Sequence, residues 1–252
     1  MDSTTGEPVE YCSFRLKHAH IGFLSDADGT FDLDMTSRWL GDTAIISCIG
    51  YDDYVFPANV LPNIRDIQLS RRQSSLSEVC VRPQKYSRKQ IGKKHTFGLF
   101  SIPFYEKRGS IIGIESKNTK QTQWLSAVGF YIKPTPDRLS NMKFRVTVYD
   151  GVDVKGRETS SFKDCGIPPI YIDYDESMIS DNRFIYRLPE PLLIPSQAMV
   201  AIEFLEDMGN ERIVCRHNVM GGGVWTSTPS DEHWIKLPVA TPFFIEILKS
   251  DK

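Results

Sequence analysis

Apolar side chains in this chain recur every second residue, and that period constrains the fold more than any other feature. Alternation places successive side chains on opposite faces of a strand. In Tyr11–Lys17, Cys12, Phe14 and Leu16 alternate with Ser13, Arg15 and Lys17. In Thr30–Met35, Phe31, Leu33 and Met35 alternate with Asp32 and Asp34. Thr43–Ile49 is almost continuously apolar, as a strand covered on both faces would be. Arg65–Leu69 and Glu78–Val81 read as two short strands. Further along, Trp124–Ile132, Lys143–Tyr149, Phe184–Leu188, Met199–Leu205, Arg212–Arg216 and Phe243–Leu248 repeat the pattern, with Phe144, Val146 and Val148 inward against Arg145 and Thr147. No amphipathic helix is expected beyond a turn around Thr36–Leu40. Glycines and prolines fall mostly between the runs and read as turns. Short strands at this spacing predict an all-β sandwich fold.

Size and charge then suggest a division. A chain of 252 residues holds one large domain or two small ones. Residues 1–80 carry a net charge of −6, residues 81–120 carry +8 and the remainder −4, against a total of −2. The total excludes a globally basic nucleic-acid binder, and nucleic acid is not an expected partner. The basic stretch Arg82–Lys94 holds a Pro, a Gly and little apolar content, and it reads as a solvated linker stretched by its own charge. The expected organisation is a first domain over 1–82, a basic linker over 83–95 and a larger domain over 96–252. No run approaches the roughly 18 apolar residues of a membrane helix. Met1–Pro8 has neither the basic nor the apolar region of a signal peptide.

Three stretches of the first domain carry a resemblance. They are Thr5–Cys12 with its Gly6-Glu7-Pro8 turn, Gly22–Phe31 with Asp26-Ala27-Asp28-Gly29, and Asp42–Tyr51 with a buried run ending at Gly50-Tyr51. With Leu69 and Leu76–Val81 they resemble, in order and spacing, the carboxypeptidase-regulatory-like domain of Bacteroidetes envelope proteins. That resemblance implies a transthyretin-like Greek-key sandwich of about seven strands. Members begin with a strand ahead of the Gly6-Glu7-Pro8 turn, where this sequence has only Met1–Thr5. The first strand is therefore expected to be missing, leaving an N-terminal edge open to strand pairing by a partner. Residues from about 96 to 250 resemble the jelly-roll-like domain that follows this module in some such proteins, through Trp124–Ile132, Met142–Tyr149 and Val200–Phe204. The resemblance implies a cell-envelope location, periplasmic or outer-membrane associated. It also implies a non-enzymatic binding or assembly role with an envelope protein or glycan as partner, and it supplies no catalytic residues.

Known catalytic patterns do not emerge. The histidines His18, His20, His95, His217 and His233 form no H-E-x-x-H or H-x-x-E group. His18 and His20 share one strand face but lack a third ligand nearby, so they read as surface residues and no metal or other cofactor is expected. Asp26–Gly29 lacks the Gly-at-six, Glu-at-twelve spacing of a calcium loop and reads as a turn. Ser160–Lys163 matches S-x-x-K without its companion motifs. Cys12, Cys48, Cys80, Cys165 and Cys215 show no C-x-x-C pair and read as small apolar residues.

Gly221-Gly222-Gly223, followed by Val224-Trp225, is the most unusual local feature. Tryptophan is highly buried on average, so Trp225 and Trp234 read first as core residues of adjacent strands joined by a hairpin. The alternative is a carbohydrate-binding loop, with Trp225, Trp234, His233 and Gly222 as candidate ligand-binding residues. A hydrolase using loop-borne carboxylates, for instance Asp173, Asp175 and Glu176, is the enzymatic alternative.

Overall fold

In a computed structural model, the structure describes residues 1–33, 37–73, 86–92, 100–104, 108–117, 122–131, 142–151, 158–159, 162–206, 213–217, 223–238 and 243–250. The fold is all-β. Strands β1 to β4 span Ser13–Leu16, Ile21–Leu24, Thr43–Ser47 and Tyr54–Pro57. Strands β5 to β9 span Tyr86–Ile91, Phe100–Phe104, Ile111–Lys117, Gln123–Tyr131 and Lys143–Asp150. Strands β10 to β14 span Glu158–Thr159, Lys163–Asp164, Ile170–Asp173, Ile179–Ser180 and Arg183–Ile194. Strands β15 to β19 span Gln197–Phe204, Ile213–His217, Val224–Ser227, Trp234–Leu237 and Phe243–Ser250. The expected turn near Thr36–Leu40 contains a short 3₁₀ helix, Ser37–Trp39.

The N-terminal strands form one antiparallel sheet in the order β2-β1-β3-β4. Its inner face buries Phe14, Leu16, Ala44, Ile46 and Phe56. Among the described residues the opposite layer is built by non-strand segments: Phe31, Leu33, Leu61, Ile64 and Ile67 pack onto that face. The alternating run at Phe31 and Leu33 thus contributes to the core without pairing as a strand, and Arg65–Leu69 makes only an isolated bridge at Leu69. That bridge lies outside the four-stranded sheet, whose edges are β2 and β4, and ties the N-terminal residues to Leu69. Ser3 N–H donates to Leu69 O at 2.9 Å and Leu69 N–H to Met1 O at 2.8 Å. The buried Asp2 carboxylate accepts from Thr4 N–H and Tyr51 Oη and pairs with Arg71, which pins the segment.

The larger body is a sandwich of two sheets. One runs β10-β18-β17-β7-β15-β9-β11, with β12 also on β9, and the other runs β13-β14-β8-β19-β5. Between them lies a core that includes Ile112, Leu125, Phe130, Phe144, Val146, Val200, Ile202, Phe204, Phe243 and Ile245. Phe130 is the hub, with ring centroids of Phe144, Phe184 and Phe243 5.7–5.8 Å away.

The stretch expected as a linker needs correction. Tyr86–Ile91 is β5, the edge strand of the second sheet, paired antiparallel to β19 from Ile91↔Ile245 to Tyr86↔Ser250. Its Tyr86–Lys89 portion is exposed, which is why no period of two marks it. Arg88 and Lys89 on a solvent edge also discourage further strand addition.

Candidate functional site

The outer, polar face of the N-terminal sheet is turned toward the second body. Because side chains alternate along β1, burial of Cys12, Phe14 and Leu16 on the core side leaves Ser13 and Arg15 on the other. Opposite them stands the outer face of the large sheet, where alternation along β9 and β15 directs Arg145, Thr147, Tyr149, Glu203 and Ala201 away from the main core. The two faces enclose a cleft of about 620 Å³. One wall carries Arg15, Ser47, Cys48 and Asp53; the other carries Tyr149, Phe162, Lys163, Thr228, Asp231 and Trp234.

The cleft floor is an ion pair. Arg145 Nη2 and Nε lie 2.6 and 2.8 Å from Glu203 Oε2, with both side chains at most 7% exposed. Arg145 Nη1 donates across the interface to Tyr11 O at 3.0 Å. Burial works against the guanidinium, but the groups around it, Glu203 foremost with Cys48 and Tyr171, together outweigh it and Arg145 stays charged. Burial pushes the Glu203 carboxyl up, with Arg145 acting in the opposite sense. Desolvation also pushes the Tyr149 hydroxyl up, aided by the Glu203 charge.

Further contacts hold the two bodies together around the cleft. Gly50 N–H donates to Asp164 Oδ2 at 2.9 Å, and Arg72 reaches the same oxygen at 3.8 Å. Arg108 clasps Asp26 and the Ser25 carbonyl. Gly22 lies so close to the Pro229–Ser230 turn that a Cβ there would come within 2.3 Å of Pro229 C. That turn is self-organised: Asp231 Oδ2 accepts from Thr228 N–H and Oγ1, both at 2.8 Å.

The sequence-derived candidates separate here. Trp225 and Trp234 do lie on adjacent antiparallel strands, β17 and β18. Trp225 is 0% exposed. It is edge-on to Phe162 at 5.1 Å and lies under Lys236 Nζ at 5.0 Å, so it cannot stack on a ligand. Its expected ligand role is corrected on that ground. Trp234 is half-buried, edge-on to Tyr149 and Phe162, and lines the cleft. His233 precedes it in the turn but is not part of the cleft lining. Gly222 lies outside the described residues.

Other expected features fall elsewhere. His18 and His20 are exposed in the β1–β2 turn, and among the described residues no three His, Cys, Asp or Glu side chains group as metal ligands. Asp26–Gly29 forms a turn, with Gly29 at φ +77° and Asp28 accepting from Thr30 N–H at 2.9 Å. Asp173 is 87% exposed. Asp175 accepts from Ser177 N–H in a local turn, and Glu176 opens a short 3₁₀ helix. Ser160 and Ser161 lie outside the described residues.

Sequence reasoning did not identify the Arg145–Glu203 floor. The available signal was a single charge inside each of two mostly apolar strands, Phe144–Val148 and Val200–Phe204. Alternation correctly directs both residues outward, but it carries no information that another body covers that face. Within the N-terminal unit a second hollow, of about 660 Å³, is lined by Val9, Phe31, Leu33, Ile46, Leu61 and Ile64 among others, and it brings together fewer charged groups than the cleft.

No protein-family model matches this chain, and no curated protein matches it either.

Proposed function

We propose that this protein is a non-enzymatic binding module of the cell envelope whose ligand, a carbohydrate, is held in the cleft between the N-terminal sheet and the larger sandwich. The observation that carries the reading is Trp234. It is the half-buried indole beside Tyr149, among Arg15, Asp53, Lys163 and Asp231. Binding sites combine apolar and aromatic wall with a few convergent polar groups. A pyranose presents one apolar C–H face, suited to an aromatic ring, and a rim of hydroxyls that donate and accept. Carboxylates accept from those hydroxyls, while Arg and Lys donate to them. The envelope location follows from the resemblance of the first domain, and a jelly-roll-like sandwich beside it is in keeping with a binding role.

The test is direct. The purified protein is screened on an array of bacterial and plant glycans, and the best ligand is titrated calorimetrically into wild type and Trp234→Ala. Loss of a central aromatic anchor is expected to weaken binding at least tenfold. Trp225→Phe, away from the ligand, should bind as wild type does. Absence of any glycan hit, or equal affinity of Trp234→Ala, would overturn the assignment.

A further inference from the structure

Two of the cysteines face one another across the N-terminal sheet. The β1–β3 register pairs Ser13 with Ser47, so the next step out sets Cys12 opposite Cys48. The Cys12 backbone settles which kind of pair this is. Its N–H donates to Ser25 Oγ at 2.8 Å and its C=O accepts from Ser25 N–H at 2.8 Å. Both groups are therefore turned toward β2, away from β3. The Cys12–Cys48 pair is then of the narrow, non-hydrogen-bonded kind, with Cα atoms about 4.5 Å apart. Disulfides span Cα separations of about 4.4–6.8 Å.

The side chains suit the same conclusion. Both thiols are free and half-buried, packed on the inner face of the sheet. Cys12 Sγ donates to Val9 O at 3.4 Å and Cys48 Sγ to Glu10 O at 3.8 Å. Each also meets open space: Cys12 lines the N-terminal hollow and Cys48 the cleft. The neighbouring Cys12 thiol, with the nearby Arg145 charge, holds the Cys48 thiol below the ordinary range despite burial. The adjacent Cys48 thiol and burial hold the Cys12 thiol up.

We propose that Cys12 and Cys48 are a redox-active dithiol that closes to a disulfide by exchange with a low-molecular-weight disulfide. The Cys48 thiolate attacks one sulfur of the small disulfide, whose S–S bond breaks and releases the first small thiolate. Cys12, after giving its proton to that thiolate, attacks the Cys48 sulfur of the mixed disulfide and expels the second small thiolate, which takes a proton from water. The protein dithiol loses two electrons and two protons, and the small disulfide is reduced to two thiols. The bridge fastens the two segments that carry contacts to the larger body. Tyr11, beside Cys12, accepts from Arg145, and Gly50, just after Cys48, donates to Asp164. Oxidation therefore stiffens the wall of the cleft and raises thermal stability, chiefly by restricting the unfolded chain.

The experiment incubates the folded full chain with oxidised glutathione, blocks remaining thiols with N-ethylmaleimide and maps non-reduced peptides by mass spectrometry. A Cys12–Cys48 linked peptide pair is expected, forming at least tenfold faster in the folded protein than in urea. Cys12→Ser should stop at a stable glutathione adduct on Cys48. Cys48→Ser should leave Cys12 largely unmodified. The oxidised wild type should melt higher than the reduced, with no such rise in either variant. Separate glutathione adducts on both cysteines, linkage to Cys80, Cys165 or Cys215 in their place, or a linked pair that forms no faster than in urea would each overturn the proposal.

Discussion

Arg145→Met probes the joint between the two bodies. The substitution keeps the length of the side chain but removes the two contacts to Glu203, at 2.6 and 2.8 Å, and the one to Tyr11 O, at 3.0 Å. Glu203 is then a buried carboxyl without a cation. Breaking a buried pair from one side costs about 3–5 kcal/mol, because the remaining charge is desolvated and unpaired. For a chain of this size each kcal/mol shifts the melting temperature by about 2–4 °C, so a fall of about 6–20 °C is expected. Scanning calorimetry measures it. The loss also depends on pH. Burial already pushes Glu203 up, and without Arg145 nothing opposes it. With its folded-state pKa above the unfolded value, the unfolded chain ionises first as pH rises. The variant then loses about 1.4 kcal/mol per pH unit from roughly pH 4.3 upward, until Glu203 itself ionises. The decisive comparison is Arg145→Met with Glu203→Leu. Replacing both ions by apolar groups is close to neutral. The Tyr11 carbonyl loses its Arg145 donor, at about 1–3 kcal/mol. A single variant that loses under about 1 kcal/mol, or a double variant no more stable than the single, would refute the account of this floor.

Two further outcomes are expected. Gly22→Ala drives a Cβ to 2.3–2.4 Å from backbone atoms of Pro229 and Ser230, and thermal melting should show a loss of about 1–3 kcal/mol from overpacking. Gly41→Ala meets nothing within 4 Å and serves as the neutral control. Asp42→Ala removes the acceptor of the His18, Ala19 and Thr43 N–H groups, at a cost of about 1–3 kcal/mol in urea unfolding. Burial acts to raise the Asp42 carboxyl, but those three donors together hold it below the ordinary range. Its stabilisation is thus present above about pH 3.9 and lost as pH falls through the depressed folded value. The variant should lack that part of the acid limb.

How much was legible in the sequence depends on what each residue is paired with. Phe14 and Leu16, Phe144, Val146 and Val148, and Val200, Ile202 and Phe204 recur at every second position, and each lies in the core where alternation places it. The Trp225–Trp234 hairpin is local too, since its strands are joined by one short turn. Phe31 and Leu33 alternate as well but bury their rings and methyls from an unpaired segment, because a side-chain period reports burial and says nothing of where backbone hydrogen bonds go. β5 carries no such period, because it lies at an edge in water and its pairing partner, β19, comes at the far end of the chain.

The amino-acid sequence by itself determined that the chain is all-β, and which face of most strands is apolar, since a two-residue period is a property of consecutive residues. Only the tertiary structure decided what lies against the polar faces. Arg145 and Glu203 look solvent-facing in their own strands, yet they form a buried ion pair because the N-terminal sheet covers them. Cys12 and Cys48 show no motif in sequence, yet they become cross-strand neighbours once β1 pairs with β3. In both cases the interaction joins residues far apart in the chain, and its energy depends on desolvation and distance, which no local pattern encodes.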